Sequence, residues 1–364
     1  MSTVQGVHLF IFDRTMMQFK SWLLLSASCV LTMYSASAIA APVRVSQVGT
    51  SAPSAAKDIY ETCQKRAVAV VTLYSGAEIG TGSIVSQNGL LITNYHVVQE
   101  AVQNPGKTKI YVKLTNGTRY LGQAIKWDQA NDLAVVRLDT QASLPAPIAL
   151  AEPGSIQLGQ SVCAIGNPFG LTSVSVGTLK EFRGRDDLRS DIFLIRGNSG
   201  GPLLNQQGEM IGVNKSIWLS ETGENTGISF STSIHVAQRL INDVQIYLEQ
   251  HPTSSAARAT TLQPSDPSLQ IANRPVASGG VLGAIVDAKS LTIRQIVLGS
   301  PADLGGLRPG DRLVKIDGKP LGSLAALQAF LNRRQANASF TVKRKQDTIL
   351  KQIIFKQNDS TTST

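Results

Sequence analysis

The chain has 364 residues, of which 42% are hydrophobic, 16% charged and 5% aromatic, and its formal net charge is +9. This composition is apolar enough for large buried cores and excludes a chain that is disordered throughout. Three Cys and four His exclude a disulfide-rich scaffold and disfavour a His/Cys metal site. The positive charge is spread along the chain without an aromatic-basic motif. We therefore assign it to solvated faces, and we expect no nucleic-acid partner and at most peripheral membrane contact.

Residues 1–40 have the pattern of a secretory signal peptide. Lys20 precedes an apolar run of Trp and Leu, and small residues follow as far as Ala40. Translation from Met16 or Met17 would place the basic residue in the charged region that such peptides carry. We therefore expect export to the periplasm or cell envelope.

Removal of the leader would leave a flexible segment at 41–56 and two cysteines, Cys63 and Cys163. An exported protein could join them, but a sequence does not show whether their Cα atoms lie close enough for a disulfide. We expect two buried free thiols.

Residues 57–250 alternate short β-branched runs with Gly, Asn and Pro, as in the runs at 67–73, 109–114 and 133–138. Short strands with turn signals at this spacing indicate an antiparallel sandwich or a pair of barrels. An amphipathic helix follows, because apolar residues recur at helical spacing. Its apolar face contains Ile234, Ala237, Leu240, Ile241, Val244 and Leu248.

Residues 251–278 are rich in Pro, Ser, Thr and Ala without periodicity, which is typical of a linker. A second compact unit is predicted at 279–357, and the polar tail 358–364 is expected to be disordered. This unit has strand-like runs at 283–287, 293–297, 312–316 and 339–344, and one helix candidate at Leu324–Asn332.

The strongest chemical signal is Ser199, which lies in the sequence Arg196-Gly197-Asn198-Ser199-Gly200-Gly201-Pro202-Leu203. A serine between glycines suits a nucleophile on a tight turn, because glycine adopts unusual φ/ψ values and lets a substrate approach closely. The N–H groups of Gly197 and Ser199 could then converge on a developing oxyanion. A glycine-rich hairpin turn without catalysis is the alternative.

His96 is the candidate base for this serine, since it is the only histidine of the β-rich unit before the terminal helix. A carboxylate must orient its imidazole and stabilise the imidazolium. Asp132 opens a strand-like run and is the best candidate, with Asp128 as the alternative. A histidine at the end of an apolar run could also be purely structural.

Seven ordered segments extend this pattern along the chain. They are Gly80-Thr81-Gly82-Ser83-Ile84-Val85, Thr93-Asn94-Tyr95-His96-Val97-Val98, Asn131-Asp132-Leu133-Ala134-Val135, Ala164-Ile165-Gly166-Asn167-Pro168-Phe169-Gly170, Gly197-Asn198-Ser199-Gly200-Gly201-Pro202-Leu203, Gly208-Glu209-Met210-Ile211-Gly212-Val213-Asn214 and Gly227-Ile228-Ser229-Phe230. Together they resemble the HtrA/Deg (DegP/DegS-like) family of trypsin-fold serine endoproteases. The resemblance implies a mostly β fold, with a trypsin-like domain of two six-stranded β-barrels and an active site in the cleft between them.

The same resemblance implies a role for each matching residue. Ser199 would be the nucleophile, His96 the general base and then acid, and Asp132 the orienting carboxylate. The backbone of Gly197, Asn198 and Ser199 would form the oxyanion hole. The reaction would pass through an acyl-enzyme that water hydrolyses, with no cofactor and no metal.

The segment before the nucleophile departs from the family pattern, since Asp191-Ile192-Phe193-Leu194-Ile195-Arg196 replaces the usual Ala-Ile-Asn-like stretch. Arg196 could distort the oxyanion loop or keep it inactive until activated. Expected pocket walls are Phe193, Leu194, Ile195 and Ile228. These apolar walls predict small or medium aliphatic side chains before the scissile bond, and Asp191 is the residue that could reverse this preference.

Residues 279–357 resemble a PDZ domain through the sequence Ser300-Pro301-Ala302-Asp303-Leu304-Gly305-Gly306-Leu307-Arg308-Pro309-Gly310-Asp311-Arg312-Leu313-Val314-Lys315-Ile316-Asp317-Gly318-Lys319-Pro320. The fold class is therefore a double β-barrel followed by one small α+β domain. A PDZ domain binds an extended peptide as an added strand and holds its C-terminal carboxylate on loop N–H groups. The expected peptide-binding residues are Val281, Leu282, Gly283, Ala284, Ile285, Leu324 and Leu327. A purely structural PDZ domain is the alternative.

The resemblance thus indicates an exported endopeptidase for unfolded or damaged envelope proteins, with peptide C-termini as PDZ partners. It also implies a homotrimer or larger homo-oligomer, formed through the region around Asp58–Cys63. The alternative is an HtrA-like chaperone or scaffold that binds misfolded proteins with little proteolysis.

Overall fold

The computed structural model describes residues 58–140, 142–251, 281–333 and 335–355. The expected signal peptide, the segment 41–56, the linker beyond residue 251 and the tail 358–364 lie outside the described residues. Within the described ranges, no helix is both long enough and apolar enough to cross a membrane.

The first barrel is closed by six antiparallel strands in the order β1-β2-β3-β6-β5-β4, with β4 pairing back to β1. Strand β3 is buried along its whole length, and every residue of β6 except Arg137 is buried, because apolar side chains fill most of both faces. The strands are β1 (Val70–Ser75), β2 (Glu78–Ile84), β3 (Leu90–Thr93), β4 (Ile110–Lys113), β5 (Arg119–Asp128) and β6 (Leu133–Leu138).

The second barrel follows in the order β8-β7-β10-β11-β12-β9 and is closed by pairing of β8 with β9. Two six-stranded barrels are what the sequence predicts, so the expected fold class is confirmed. The strands are β7 (Ser161–Gly166), β8 (Ser173–Arg183), β9 (Asp187–Ser190), β10 (Pro202–Leu204), β11 (Met210–Leu219) and β12 (Asn225–Ser233).

Three helices accompany the barrels: α1 (Ile59–Arg66), α2 (Tyr95–Gln103) and α3 (Ile234–Gln250). The amphipathic helix predicted from residue 234 is confirmed as α3, which begins at the N-cap Ser233 and buries its apolar face. The strand-like run 67–73 is only partly a strand, because its first three residues form a 3₁₀ turn that connects α1 to β1.

Cys63 and Cys163 form a disulfide, so the expectation of two free thiols is wrong. Cys63 lies on α1 and Cys163 on β7, and their Cα atoms are 6.3 Å apart, within the range that a disulfide bridges. The helix packs directly against the second barrel, which brings together two residues that are 100 positions apart in sequence.

The C-terminal domain has the mixed α and β character of the predicted second unit. Its sheet has the order β16-β15-β17-β18, and β13 pairs with β14 beside it. The elements are β13 (Ala284–Val286), β14 (Ile293–Val297), α4 (Pro301–Leu304), β15 (Arg312–Ile316), β16 (Lys319–Pro320), α5 (Leu324–Leu331), β17 (Asn337–Arg344) and β18 (Asp347–Ile354). The predicted strands and helix are all present, with ends that differ by at most two residues.

The C-terminal domain extends the sheet of the second barrel, which the sequence did not predict. Strand β14 pairs antiparallel with β8, and its residue Ile296 lies opposite Val174. The Leu298 N–H donates to the Thr172 carbonyl at 2.9 Å, and Gln295 donates to the Ser173 hydroxyl at 2.6 Å. Backbone pairing thus joins the two domains within one compact unit.

Helix α1 makes a second contact with the C-terminal domain. Asp303 accepts hydrogen bonds from the Tyr60 hydroxyl at 2.8 Å and from Gln64 at 2.7 Å. Arg308 pairs with both Asp58 and Glu61. Burial, together with the Asp303 carboxylate, raises the pKa of Tyr60. The segment Asp58–Cys63, which the resemblance assigns to subunit contacts, here contacts its own chain.

Candidate active site

His96 and Asp132 lie in direct contact on the first barrel. His96 is the second residue of α2, immediately after β3, and Asp132 precedes β6, the strand that pairs with β3. The imidazole Nδ1 lies 2.7 Å from Asp132 Oδ2, and the His96 backbone N–H donates to Oδ1 at 2.9 Å. Because a carboxylate accepts, Nδ1 carries the hydrogen and Nε2 is left free to accept a proton.

The backbone of Asp132 is held in an uncommon conformation. Its φ is +54°, in the left-handed region that non-glycine residues seldom occupy. The buried side chain of Asn94 donates to the Asp132 carbonyl at 2.8 Å, and Thr232 of the second barrel donates to the preceding carbonyl, that of Asn131. These contacts from both barrels hold the carboxylate in place beside the imidazole.

The alternative carboxylate, Asp128, faces a different partner. Both of its oxygens accept hydrogen bonds from Asn131, one from the backbone N–H and one from the side-chain amide. Burial opposes the charged form, but these hydrogen bonds lower the pKa of Asp128 overall. The structure therefore assigns Asp128 to the turn before β6 and does not bring it to His96.

Ser199 lies on a tight turn between β9 and β10 of the second barrel. The turn requires glycine at two places, since Gly197 has φ +97° and Gly200 has φ +83°. An added Cβ at Gly197 would lie 2.8 Å from Pro168 Cα, and one at Gly200 would collide with the Thr81 carbonyl. Glycine is therefore required at both positions, because the backbone conformation and the close approach of neighbouring atoms exclude a side chain.

The backbone N–H groups of this turn differ in their partners. The Asn198 N–H donates to the Ile195 carbonyl at 3.1 Å, and the Gly200 N–H donates to the Asn214 carbonyl at 2.8 Å. Within the described part of the chain, the N–H groups of Gly197 and Ser199 have no acceptor. Two amides are therefore available to an oxyanion. The side chain of Asn198 is buried against Gly166.

A cavity of about 390 Å³ brings the two barrels' candidate residues together. His96 contributes from the first barrel, and Gly197 and Ser199 contribute from the second. The remaining lining residues are Glu78, Ile79, Gln99, Glu100, Gln103 and Arg196. Among the described residues, the Ser199 hydroxyl makes no hydrogen bond, so it is not hydrogen-bonded to the His96 imidazole in this structure.

Arg196 lies at the edge of this cavity, and its side chain is 81% exposed. Its guanidinium lies 3.2 Å from the Glu78 carboxylate. An ion pair this exposed contributes at most about 1 kcal/mol to stability. Arg196 is therefore held beside the candidate nucleophile Ser199 by a weak contact only.

The four expected pocket residues are not among those that line the cavity. Leu194 and Ile195 are buried, whereas Phe193 and Ile228 are half-buried. The Phe193 carbonyl accepts from the Ser175 hydroxyl at 2.8 Å, and the Leu194 carbonyl accepts from the Asn225 amide at 2.6 Å.

Asp191 forms an ion pair with Lys180 at 2.8 Å and accepts a hydrogen bond from the Thr178 backbone N–H. Its charge is therefore compensated outside the cavity.

The expected peptide groove of the C-terminal domain is partly exposed. Strand β13 pairs only with β14 among the described strands, so its other edge is free for an added strand. Val281 is exposed, and Gly283, Ala284 and Ile285 are half-buried. Leu282 and Leu327 are buried and pack in the core, whereas Leu324 is half-buried.

Sequence reasoning assigned no role to Thr81, although its segment contributed to the family resemblance. Thr81 is fully buried on β2, and its N–H donates to the Ser199 carbonyl at 2.8 Å. The polar residue between Gly80 and Gly82 was the available signal, because a hydroxyl inside a strand of a closed barrel needs a partner.

Three family models match the chain. The trypsin-like peptidase domain matches residues 80–213, the PDZ domain matches 292–344, and peptidase S46 matches 33–116. The first match contains His96, Asp132 and Ser199 in one segment, and the second begins just before β14.

Several known proteins are similar to this chain. The probable periplasmic serine endoprotease DegP-like of Chlamydia trachomatis is 36% identical over 259 residues, which are 68% of this chain and 48% of that protein. The putative serine protease HhoA of Synechocystis is 30% identical, with 71% of this chain and 65% of that protein covered. The serine protease HTRA3 of mouse is 31% identical, with 76% and 60% covered. A solved serine endoprotease from Yersinia pestis aligns at a TM-score of 0.45 and 24% identity, with 82% of this chain and 97% of that chain covered.

The chain thus spans about half to two thirds of the length of these curated relatives. All three of these relatives are named as serine proteases or serine endoproteases. The matched domains occur in the order that the sequence predicts. A trypsin-like peptidase domain followed by a PDZ domain, with relatives named DegP-like and HTRA3, places this chain in the HtrA/Deg family of serine proteases.

Proposed function

We propose that this chain is an exported serine endopeptidase that cleaves unfolded or damaged proteins by a Ser-His-Asp acyl-enzyme mechanism. The observation that carries the proposal is the cavity where Ser199 and His96 meet, with the imidazole already paired to Asp132 and two amides of the nucleophile turn without acceptors. Each of these features serves a separate step of the reaction.

In the first step, Ser199 attacks the scissile carbonyl while His96 takes the serine proton. The Asp132 carboxylate holds Nδ1–H, so Nε2 is the atom that accepts this proton, and the carboxylate stabilises the imidazolium that forms. The Ser199 hydroxyl must first move into contact with Nε2. Catalytic hydrogen bonds of this kind often tighten only when substrate is bound.

The tetrahedral intermediate places negative charge near the Gly197 and Ser199 amides. Each such preorganised donor is worth about 10²–10³ in kcat. His96 then protonates the leaving amine, and the chain before the cut remains on Ser199 as an acyl-enzyme. A water molecule, activated by the same histidine, releases it.

We propose small or medium aliphatic side chains before the scissile bond. Phe193 and Ile195 precede the nucleophile turn in sequence, Ile228 lies on β12, and the acidic residue of the segment before the turn, Asp191, is paired with Lys180. Apolar walls without an uncompensated carboxylate would give no favourable site for a Lys or Arg side chain.

The C-terminal domain would bind extended peptide segments or C-termini along the free edge of β13. That edge supplies backbone groups for an added strand, and the half-buried residues Ala284 and Ile285 supply its side-chain contacts. The loop around Gly283 would hold the terminal carboxylate.

The location and assembly of the protein belong to the same proposal. The Chlamydia relative is named periplasmic, and residues 1–40 have the composition of an export signal. We propose that the protein is located in the periplasm or cell envelope. We also propose that the protein acts as a homotrimer or larger homo-oligomer, as the family resemblance implies.

The decisive experiment compares the wild-type chain with Ser199→Ala on unfolded casein and maps the cut sites by mass spectrometry. Wild type should cut after aliphatic residues, and the variant should bind casein without cutting it. Equal residual cleavage by the two proteins would reject the protease assignment. Cuts that follow Lys or Arg would reject only the proposed specificity.

The second candidate is a chaperone or scaffold with little proteolysis. One observation favours it: Arg196, which departs from the family pattern, lies at the edge of the cavity beside Gly197 and Ser199. If neither protein cuts casein but both suppress aggregation of an unfolded protein, this second function is the correct one.

A further inference from the structure

Thr81 connects the first barrel to the nucleophile turn of the second. It lies on β2 and is fully buried. Its backbone N–H donates to the Ser199 carbonyl at 2.8 Å, and its hydroxyl donates to the Gly197 carbonyl at 2.6 Å. One residue of the first barrel therefore holds two carbonyls of a turn that belongs to the second.

The direction of the Thr81 hydroxyl is fixed by its two partners. The Asn167 backbone N–H, which can only donate, lies 2.9 Å from Thr81 Oγ1. The Gly197 carbonyl can only accept, so the hydroxyl proton must point towards it. The hydroxyl thus bridges Asn167 to Gly197. Rotation of its O–H bond away from this direction would break the hydrogen bond to the Gly197 carbonyl.

The hydrogen bond from the Thr81 hydroxyl restrains Gly197, a residue of the turn whose backbone is flexible because it lacks a side chain. Gly197 has no side chain and has φ +97°, so its peptide planes could rotate at little cost. The Thr81 hydroxyl fixes the peptide that follows Gly197, and the Thr81 N–H fixes the Ser199 carbonyl. The unpartnered Ser199 amide therefore lies between two anchored carbonyls along the chain, and the unpartnered Gly197 amide immediately precedes the first of them.

We infer that Thr81 is a positioning residue for oxyanion binding. Its hydroxyl holds the Gly197 carbonyl, and this contact keeps the Gly197 and Ser199 amides, which lie on either side of that carbonyl along the chain, directed at the developing oxyanion. Thr81 acts through the turn and does not contact substrate. The inference rests on the proposed protease function, because it concerns the same turn.

The test replaces the hydroxyl by a methyl group of similar size in Thr81→Val. We expect kcat on a fluorogenic peptide, built on a mapped casein cut site, to fall about 10–100-fold while KM changes less than about twofold. The loss should be smaller than the about 10²–10³ for removal of an oxyanion donor, because the amides remain and lose only their alignment.

Two further variants separate positioning from general stability. Thr81→Ser keeps the hydroxyl and loses the methyl group that packs near Gly201, so its kcat should stay within about threefold of wild type. Ser83→Ala is the matched control, since Ser83 is equally buried on the same strand and its hydroxyl has no hydrogen-bond partner among the described residues. Its kcat should not change.

A second measurement uses a peptidyl boronic acid, which forms a tetrahedral adduct with the catalytic serine. Thr81→Val should weaken its inhibition by the same factor as kcat. Binding of the uncleaved peptide, measured in a Ser199→Ala background, should stay within about twofold. If Thr81→Val does not fold, Thr81→Ala replaces it, because the smaller residue leaves room for a bridging water.

The inference is overturned if a folded Thr81→Val or Thr81→Ala keeps kcat and boronate affinity within twofold of wild type. It is also overturned if Thr81→Ser is as impaired as Thr81→Val, since the methyl group and not the hydroxyl would then matter. Failure of the proposed protease function would be recognised by a different result, because Ser199→Ala and wild type would then be equally active.

Discussion

At the scale of single residues, the candidate site depends on contacts that cross between the barrels. Asp132 of the first barrel is supported by Thr232 of the second through the neighbouring carbonyl, and Ser199 of the second is held by Thr81 of the first. The side chain of His96 is 41% exposed and that of Asp132 27%. Correct alignment of nucleophile and base therefore requires both barrels to be packed together.

The choice between Asp132 and Asp128 leads to a first prediction. Asp132→Asn should lower kcat by about 10³–10⁴-fold, because the amide can donate to Nδ1 and favour the imidazole tautomer that cannot take the serine proton. Steady-state cleavage of the casein peptide measures this. Asp128→Asn is the matched control, and its kcat should stay within about threefold. The reverse order of the two losses would exchange their roles.

The catalytic candidates could be predicted from sequence because each lies in a short segment with its own chemical requirement. Ser199 is recognisable by its glycines, and Asp132 by its place at the start of an apolar strand. For Thr81 the sequence offers only a polar residue between two glycines, which does not identify its partners, since Gly197 and Asn167 come from a different barrel. A hydrogen bond to a distant carbonyl leaves no periodicity in the sequence.

At the scale of elements, α1 connects otherwise separate parts of the fold. Its residue Cys63 is bonded to β7, and its residues Gln64 and Glu61 contact Asp303 and Arg308 of the C-terminal domain. The sequence predicted most strands from their β-branched runs and α3 from its periodicity. Helix α1 is short, and its role in the fold comes from contacts with Cys163, Asp303 and Arg308, which are distant in sequence. The disulfide between Cys63 and Cys163 could not be predicted, because the distance between two cysteines depends on how the helix packs.

The disulfide leads to a second prediction, which concerns stability. Removal of the Cys63–Cys163 bond by the double replacement with alanine should lower the free energy of unfolding by about 2–4 kcal/mol, since the bond closes a loop of 100 residues in the unfolded chain. Urea unfolding followed by tryptophan fluorescence measures this. Reductant should weaken wild type by a similar amount and leave the double variant unchanged. An equal effect of reductant on both proteins would contradict the prediction.

At the scale of the whole molecule, the described C-terminal domain is attached to the protease domain in two ways. Strand β14 continues the sheet of the second barrel, and α4 contacts α1 through Asp303. The free edge of β13 faces away from this pairing, because β14 lies between β13 and β8. A peptide could therefore bind to β13 without breaking the contact with the second barrel.

The Tyr60–Asp303 hydrogen bond allows a third prediction about this attachment. Tyr60→Phe removes only the hydroxyl of a buried side chain and leaves the half-buried Asp303 carboxylate with one donor fewer, which costs about 1–2 kcal/mol. Hydrogen exchange of the Leu298 amide, whose acceptor is the Thr172 carbonyl of the second barrel, should therefore become about 10-fold faster. Tyr247→Phe on the exposed face of α3 is the matched control and should leave this amide unchanged. If exchange accelerates only within α1, the strand pairing alone holds the domains together. If it accelerates equally throughout both barrels, the hydroxyl stabilises the whole fold and has no particular role at this contact.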